Sequence, residues 1–252
     1  MEVHAHSHTA RRKWTHYFWE FLMLFLAVFC GFLAENQREH IIEHKREKKL
    51  MRSLVEELKL DKSNLESIKL GFQNTFAWLD SAFILFNEPR LEGKEHLLAE
   101  AIFKGSFWPS ITFTDITLSQ LRNAGYFRLI RNDSLANAIA SYDTRLKRQN
   151  ESQAPITLNS QLLDEELVTL FDHKLVGLIF QQQMSTETSD SIDLSLFKQI
   201  KMVSYDPSVL EPYKIKLKKI WIDYKMLESE YKRNYIQLSE LLKDIIEEYH
   251  LE

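Results

Sequence analysis

Nearly every position from Phe21 to Ala34 is apolar, and the run is preceded by Trp14, Tyr17, Phe18 and Trp19 and by Arg11, Arg12 and Lys13. A helix from His16 to Ala34 reaches roughly 28 Å, close to the hydrocarbon thickness of a bilayer. The aromatic residues fall where an interfacial belt belongs. The pattern predicts a transmembrane helix over 14–35, which includes His16, Tyr17, Trp19, Glu20, Ala27, Gly31 and Ala34.

A different rhythm begins at Asn36. As far as about Phe86 there is no proline and a single glycine, Gly71, and the charges between Glu39 and Lys62 are densely mixed in sign. Met51, Leu58, Leu65, Phe72, Leu79 and Phe86 recur at seven-residue spacing, joined by Leu54, Ile68, Phe76 and Phe83. This predicts one long helix with a continuous apolar face. Asn87-Glu88-Pro89-Arg90 ends it, because proline lacks a donor and restricts its predecessor. Short helices follow at about 94–103 and 115–123. Gly125 reads as a helix C-terminal glycine and Asn132-Asp133 as the next N-cap, so 126–131 forms a tight corner. A helix over about 133–151 and, after Pro155, another helical stretch to about Gln183 come next. The polar stretch Ser185 to Asp193 is the best candidate for a mobile loop.

The last segment opens at Pro207-Ser208. Leu210, Leu217, Tyr224, Tyr231, Leu238 and Ile245 repeat at one position, with Tyr213, Ile220, Leu227 and Leu241 three residues on, and Asn234 and Glu248 break the second series. Trp221, Tyr235, Leu242 and Tyr249 widen the stripe, so this helix packs against more than one neighbour. The same stripe is the candidate association surface. The expected fold class is all-α: an N-terminal transmembrane helix followed by an elongated helical bundle with long, coiled-coil-like first and last helices. Residues 1–13 form a short His-containing tail, 14–35 the span and 36–252 one extracytoplasmic helical domain.

Processing signals do not displace the span. Leu33-Ala34-Glu35-Asn36 leads into a helix-favouring continuation, where a cleaved signal needs small residues. Phe29 is too large to precede a lipidated Cys30. Arg11, Arg12 and Lys13 crowd one flank, which places the N-terminus in the cytoplasm and the C-terminal domain outside it. Glu20 sits about one turn inside the segment, either as an interfacial carboxylate that snorkels or as a polar contact with another membrane helix.

Composition narrows the function classes. A 44% hydrophobic and 12% aromatic chain with six glycines and five prolines favours packed helices over many-turned β architectures. The single cysteine excludes intramolecular disulfides and a cysteine-based zinc site. A net charge of −4 offers no broad basic surface for nucleic acid.

Candidate chemistry is sparse. His40-Ile41-Ile42-Glu43-His44 matches the H-x-x-E-H pattern of inverted zinc peptidases, in which two histidines on one helix face hold zinc and the glutamate activates water. The sequence names no third ligand, and a charged juxtamembrane helix gives the same pattern. Glu2, His4, His6 and His8 form an alternating tail that suits nickel, copper or zinc but equally a disordered terminus. The paired acids Asp164-Glu165-Glu166 and Glu247-Glu248 read as solvated helix faces. Ala27, Gly31 and Ala34 give the span a small-residue face that permits close helix approach. Phe103, Phe107, Trp108 and Phe113, near Gly105 and Pro109, form either a pocket or a satellite core. No Gly-rich phosphate loop, no G-x-S-x-G and no Cys/His dyad is present, so no cofactor and no enzymatic activity are expected.

The segment from Tyr17 to Val28, running into Gly31-Phe32-Leu33-Ala34-Glu35-Asn36, resembles uncharacterised single-span membrane proteins widespread in Bacteroidetes. The stretch Leu118 to Asn132 is similar to their helix, glycine corner, helix element. The resemblance implies a Gram-negative inner-membrane protein, and that family supplies no functional residues. The expected function is non-enzymatic: the periplasmic bundle mediates association with itself or with another membrane protein, as a scaffold or accessory subunit. Rival expectations are a ligand-sensing helical module that acts through a partner, and a membrane zinc peptidase using His40, Glu43 and His44.

Overall fold

The computed structural model describes residues 14–110, 112–185 and 194–251. Seven α-helices and a short 3-10 turn make up the described chain: α1 (Trp14–Phe86), α2 (Glu95–Ser106), α3 (Ile116–Asn123), the 3-10 turn (Tyr126–Leu129), α4 (Asp133–Leu170), α5 (His173–Ser185), α6 (Leu194–Phe197) and α7 (Pro207–Tyr249). The predicted His-rich tail and nearly all of the Ser185–Asp193 loop lie outside the described residues. The chain divides into two compact units at Met51 and Arg52, sixteen residues beyond the expected boundary at 35 and 36, so the charged stretch after the apolar run belongs with the first unit.

The second unit is built on α1 and α7, which pair antiparallel. Lys62 lies over the Tyr235 ring, Phe72 meets Tyr231, Phe76 meets Trp221, and Phe86 meets Tyr213, so one helix's numbers rise as the other's fall. By rise alone this seam is about 36 Å long. The heptad rows explain it: Leu58, Leu65, Phe72 and Leu79 from α1 are buried, and so are Leu217, Tyr224, Tyr231, Leu238 and Ile245 from α7. α4 runs along the other side of α7.

Turn chemistry follows the local sequence closely. Gly125 has φ of +66°, a conformation that disfavours side chains. The Asn132 side chain accepts from the Leu135 N–H at 3.1 Å and donates to Glu248 at 2.9 Å, so Glu248 leaves the apolar series to hold the corner. The Asp206 side chain caps α7 through the Ser208 N–H at 2.8 Å, with Pro207 in the first turn.

Pro155 does not end a helix; α4 passes through it. Proline removes one N–H and frees carbonyls in the preceding turn. Two hydroxyls bond carbonyls around that gap: Ser152 donates to the Gln149 carbonyl at 2.8 Å and Thr157 to the Gln153 carbonyl at 3.1 Å. The real break comes at Phe171 and Asp172, where the expected single stretch to Gln183 divides. Asp172 caps α5 through the Lys174 and Leu175 N–H groups at 3.0 and 3.2 Å, and Phe171 pairs with Met202 in an isolated antiparallel bridge.

Two glycines allow close approach. A Cβ on Gly71 would stand 2.9 Å from the Pro109 Cβ, which explains the one glycine inside the long apolar face of α1. A Cβ on Gly105 would stand 2.7 Å from Leu79 Cδ2 and 3.2 Å from its backbone nitrogen, so α2 presses on α1 there.

Candidate functional site

The apolar segment of α1 is uncovered. No residue in its most apolar stretch is buried, and Phe21, Leu24 and Val28 are each at least 65% exposed. Phe21, Phe25 and Phe29 stack one turn apart at 6.3 and 5.8 Å. His16 Nε2 lies 3.0 Å from Glu20 Oε1, which brings two of the expected span residues together. Trp19 and Tyr17 stay exposed beside them. Among the described residues nothing lies within 4 Å of where a Gly31 Cβ would sit, and Ala27, Gly31 and Ala34 are all exposed. One helix is therefore long and apolar enough to cross a membrane.

The H-x-x-E-H residues do not converge. His44 Nδ1 turns to Glu47 at 3.1 Å instead of toward His40 and a shared ion. Among the described residues no three His, Cys, Asp or Glu side chains gather in a group that could hold a metal ion.

The α7 stripe assigned to association lies inside the second unit. Leu217, Ile220, Tyr224, Leu227, Tyr231, Leu238, Leu241 and Ile245 are all buried, and Leu210 is half-buried. Their apolar area is used within the chain, so any association must draw on other residues.

The aromatic group that was a pocket candidate is core. Phe103 packs edge-on or tilted against Phe107, Phe180 and Phe197 at 5.2 to 5.6 Å, and Trp108 and Phe113 turn to Tyr224 and Tyr231.

Two buried polar clusters were not legible in the sequence. In the first, α1 caps α3 from a distance. Glu57 accepts from the Thr117 N–H at 3.1 Å and its hydroxyl at 2.7 Å; Asp61, one turn on, accepts from the Thr114 N–H and hydroxyl, both at 3.1 Å. The first N–H groups of a helix lack intrahelical partners, and the local cap residue Asp115 makes no capping bond. Glu57 therefore replaces the local cap at the positive end of α3, and Asp61 holds Thr114 in the turn that leads into it. Asp61 is fully buried, and burial pushes its carboxyl up to about 6, opposed by the Thr114 bonds and assisted by the Glu57 charge. The Tyr142 hydroxyl is buried with no hydrogen bond to protein, and its pKa is raised by desolvation and by the Asp61 charge.

In the second cluster, the Tyr224 hydroxyl donates to the Ser106 carbonyl at 2.8 Å and stands 3.1 Å from Ser160 Oγ. This ties α7, α2 and α4 at one point. Asp164 is not on a solvated face as expected: burial raises its carboxyl to about 6 against a hydrogen bond from Ser106. Tyr224→Phe keeps the ring and removes the donor, leaving a buried carbonyl under-satisfied. A loss of about 1 to 2 kcal/mol in unfolding free energy is expected, read from the shift in denaturant midpoint at unchanged slope.

These features define a helical protein with a spanning-length apolar segment and two acid–hydroxyl clusters. No protein-family model matches the chain, and no curated protein or solved structure matches it.

Proposed function

We propose that this is a non-enzymatic, single-pass inner-membrane protein of the Bacteroidetes type it resembles, with a cytoplasmic N-terminus and a periplasmic helical unit that associates with itself or another membrane protein as a scaffold or accessory subunit. The observation that carries the reading is the uncovered apolar surface of Trp14 to Ala34. A sheath of aromatic and aliphatic side chains this large is costly in water and favourable in hydrocarbon. The first polar cluster fits the same reading, because Glu57 and Asp61 are engaged with backbone N–H groups and threonine hydroxyls.

The test has two parts. The full-length protein in native membranes resists alkaline extraction, whereas Leu24→Arg, which puts a charge near the middle of the segment at about 3 kcal/mol, shifts most of it to the extractable or degraded fraction. A periplasm-dependent phosphatase fused after Glu252 is active. Wild-type protein in the soluble fraction would refute the anchor, and an inactive fusion would reverse the topology.

A further inference from the structure

The α1–α7 seam has an outer side that no described element of the chain covers. Two grooves open along it, one of about 580 Å3 beside Leu65, Phe72 and Ile236, the other of about 530 Å3 between Ile84 and Ile215. Between them the seam is closed by lysine stems: Lys225 lies 3.4 Å from the Phe76 ring centre and Lys218 3.9 Å from that of Trp221.

The rims of these grooves carry a pattern of their own. On α1, Ser63, Leu70, Ala77 and Ile84 are exposed at seven-residue spacing; on α7, Ile215, Ile222, Ser229 and Ile236 are exposed at the same spacing. Leu70, Ile84, Ile215 and Ile236 each leave more than half of their surface in solvent. Seven-residue steps keep a row on one helix face, so both rows follow the outer side of the seam. The antiparallel register sets them level with one another: Ile84 with Ile215, Ala77 with Ile222, Leu70 with Ser229 and Ser63 with Ile236. Three of the four levels join a large residue to a small one, the combination that lets facing layers interdigitate.

We propose that this face docks a second copy of the same chain, related by a two-fold axis parallel to the helix pair, so that α1 of each copy lies against α7 of the other in a four-helix arrangement. The charges beside the rows single out this occupant. Glu66 is level with Lys232, Lys69 with Glu228, and Asp80 with Lys218. A two-fold parallel to the pair preserves level and exchanges helix, so each charge on α1 meets the opposite sign on the facing α7. A surface of one sign could not pair with itself; this one is self-complementary at every charged level named. The proposal rests on the association reading above and narrows its partner to this chain.

The test co-expresses two full-length chains in native membranes, both with Cys30→Ser, one with Ala77→Cys and the other with Ile222→Cys under a different tag. Oxidation is expected to give a disulfide-linked heterodimer between the two tags, a product that no intrachain contact can form. In mild detergent, Ile222→Lys is expected to weaken dimerisation roughly 30-fold or more, as a central interface residue does, while the circular dichroism spectrum stays that of the wild type because the side chain is exposed. Absence of the heterodimer overturns the proposal. If the Ile222→Lys chain remains dimeric, another surface mediates association: this face is overturned and the association reading stands. If a different polypeptide crosslinks stoichiometrically through Ile222→Cys, the second-copy assignment falls and the association reading stands. If no crosslinked product forms and the wild-type chain is also monomeric in mild detergent with no co-purifying polypeptide, both fall.

Discussion

Asp61→Ala lowers the stability of the full-length protein by about 2 to 3 kcal/mol at pH 5, whereas Asp61→Asn stays within about 1 kcal/mol of the wild type. Alanine strips the acceptor from the Thr114 N–H and hydroxyl, both held at 3.1 Å, and leaves two donors in the turn before α3 without that partner. Asparagine keeps one acceptor oxygen in place and cannot ionise. The two variants therefore separate the bond from the charge.

The charge has its own signature. The folded-state carboxyl of Asp61 is raised from 3.8 to about 6, and that of Asp164 likewise. Because each folded value exceeds the unfolded one, the native state holds extra protons: the stability this contributes is full below about pH 4 and is lost as pH rises through about 6. Between pH 5 and pH 7.5 each group costs about 1 kcal/mol by linkage. Asp61→Asn removes its share of that slope and becomes more stable than the wild type at pH 7.5. Denaturation followed by tryptophan fluorescence at both pH values checks this. Equal losses for the two variants, or a full pH slope retained in Asp61→Asn, would show that the carboxylate does not act as a buried cap.

Gly105→Val is expected to cost more than about 3 kcal/mol, and Gly105→Ala about 1 to 2 despite alanine's better helix propensity. The propensity gain of about 1 kcal/mol is outweighed by a contact at 2.7 Å with the Leu79 side chain and 3.2 Å with its backbone nitrogen. Leu79 is fully buried, so it has nowhere to turn. Leu79→Ala alone loses about 2 to 5 kcal/mol through its cavity. Combined with Gly105→Ala the losses fall short of additive, because the new methyl enters the space that the leucine vacates. Strict additivity in that double-mutant cycle would show that α2 and α1 do not press together at this point.

Much of the helix layout was legible because its signals are local. The run from Phe21 to Ala34, the seven-residue rows of α1 and α7, the stop after Phe86, the glycine at 125, the cap at Asn132 and the opening at Pro207 each depend on residues within a few positions of one another. Pro155 misled for the complementary reason. Its effect depends on how the surrounding turns are held, and Ser152 and Thr157 bond the Gln149 and Gln153 carbonyls on either side of the Glu151 carbonyl that Pro155 leaves without its N–H. Asp164 misled because its neighbours in sequence are acids while its neighbour in space is Ser106.

The sequence alone determined that this protein has one segment apolar enough to span a bilayer, that helices dominate the rest of the described chain, and which face of each long helix seeks burial. Only the tertiary structure decided what each face meets. The stripe from Leu217 to Ile245 reads equally well as an interface or a core, since periodicity reports that a face is apolar and not what covers it. Packing against α1 and α4 made it core, and shifted the open surface to the neighbouring row of Ile215, Ile222 and Ile236. Glu57 and Thr117, separated by sixty positions, became cap and helix end only when α1 and α3 docked. A long-range hydrogen bond leaves no period in a sequence, because its two halves are brought together by the burial of other residues.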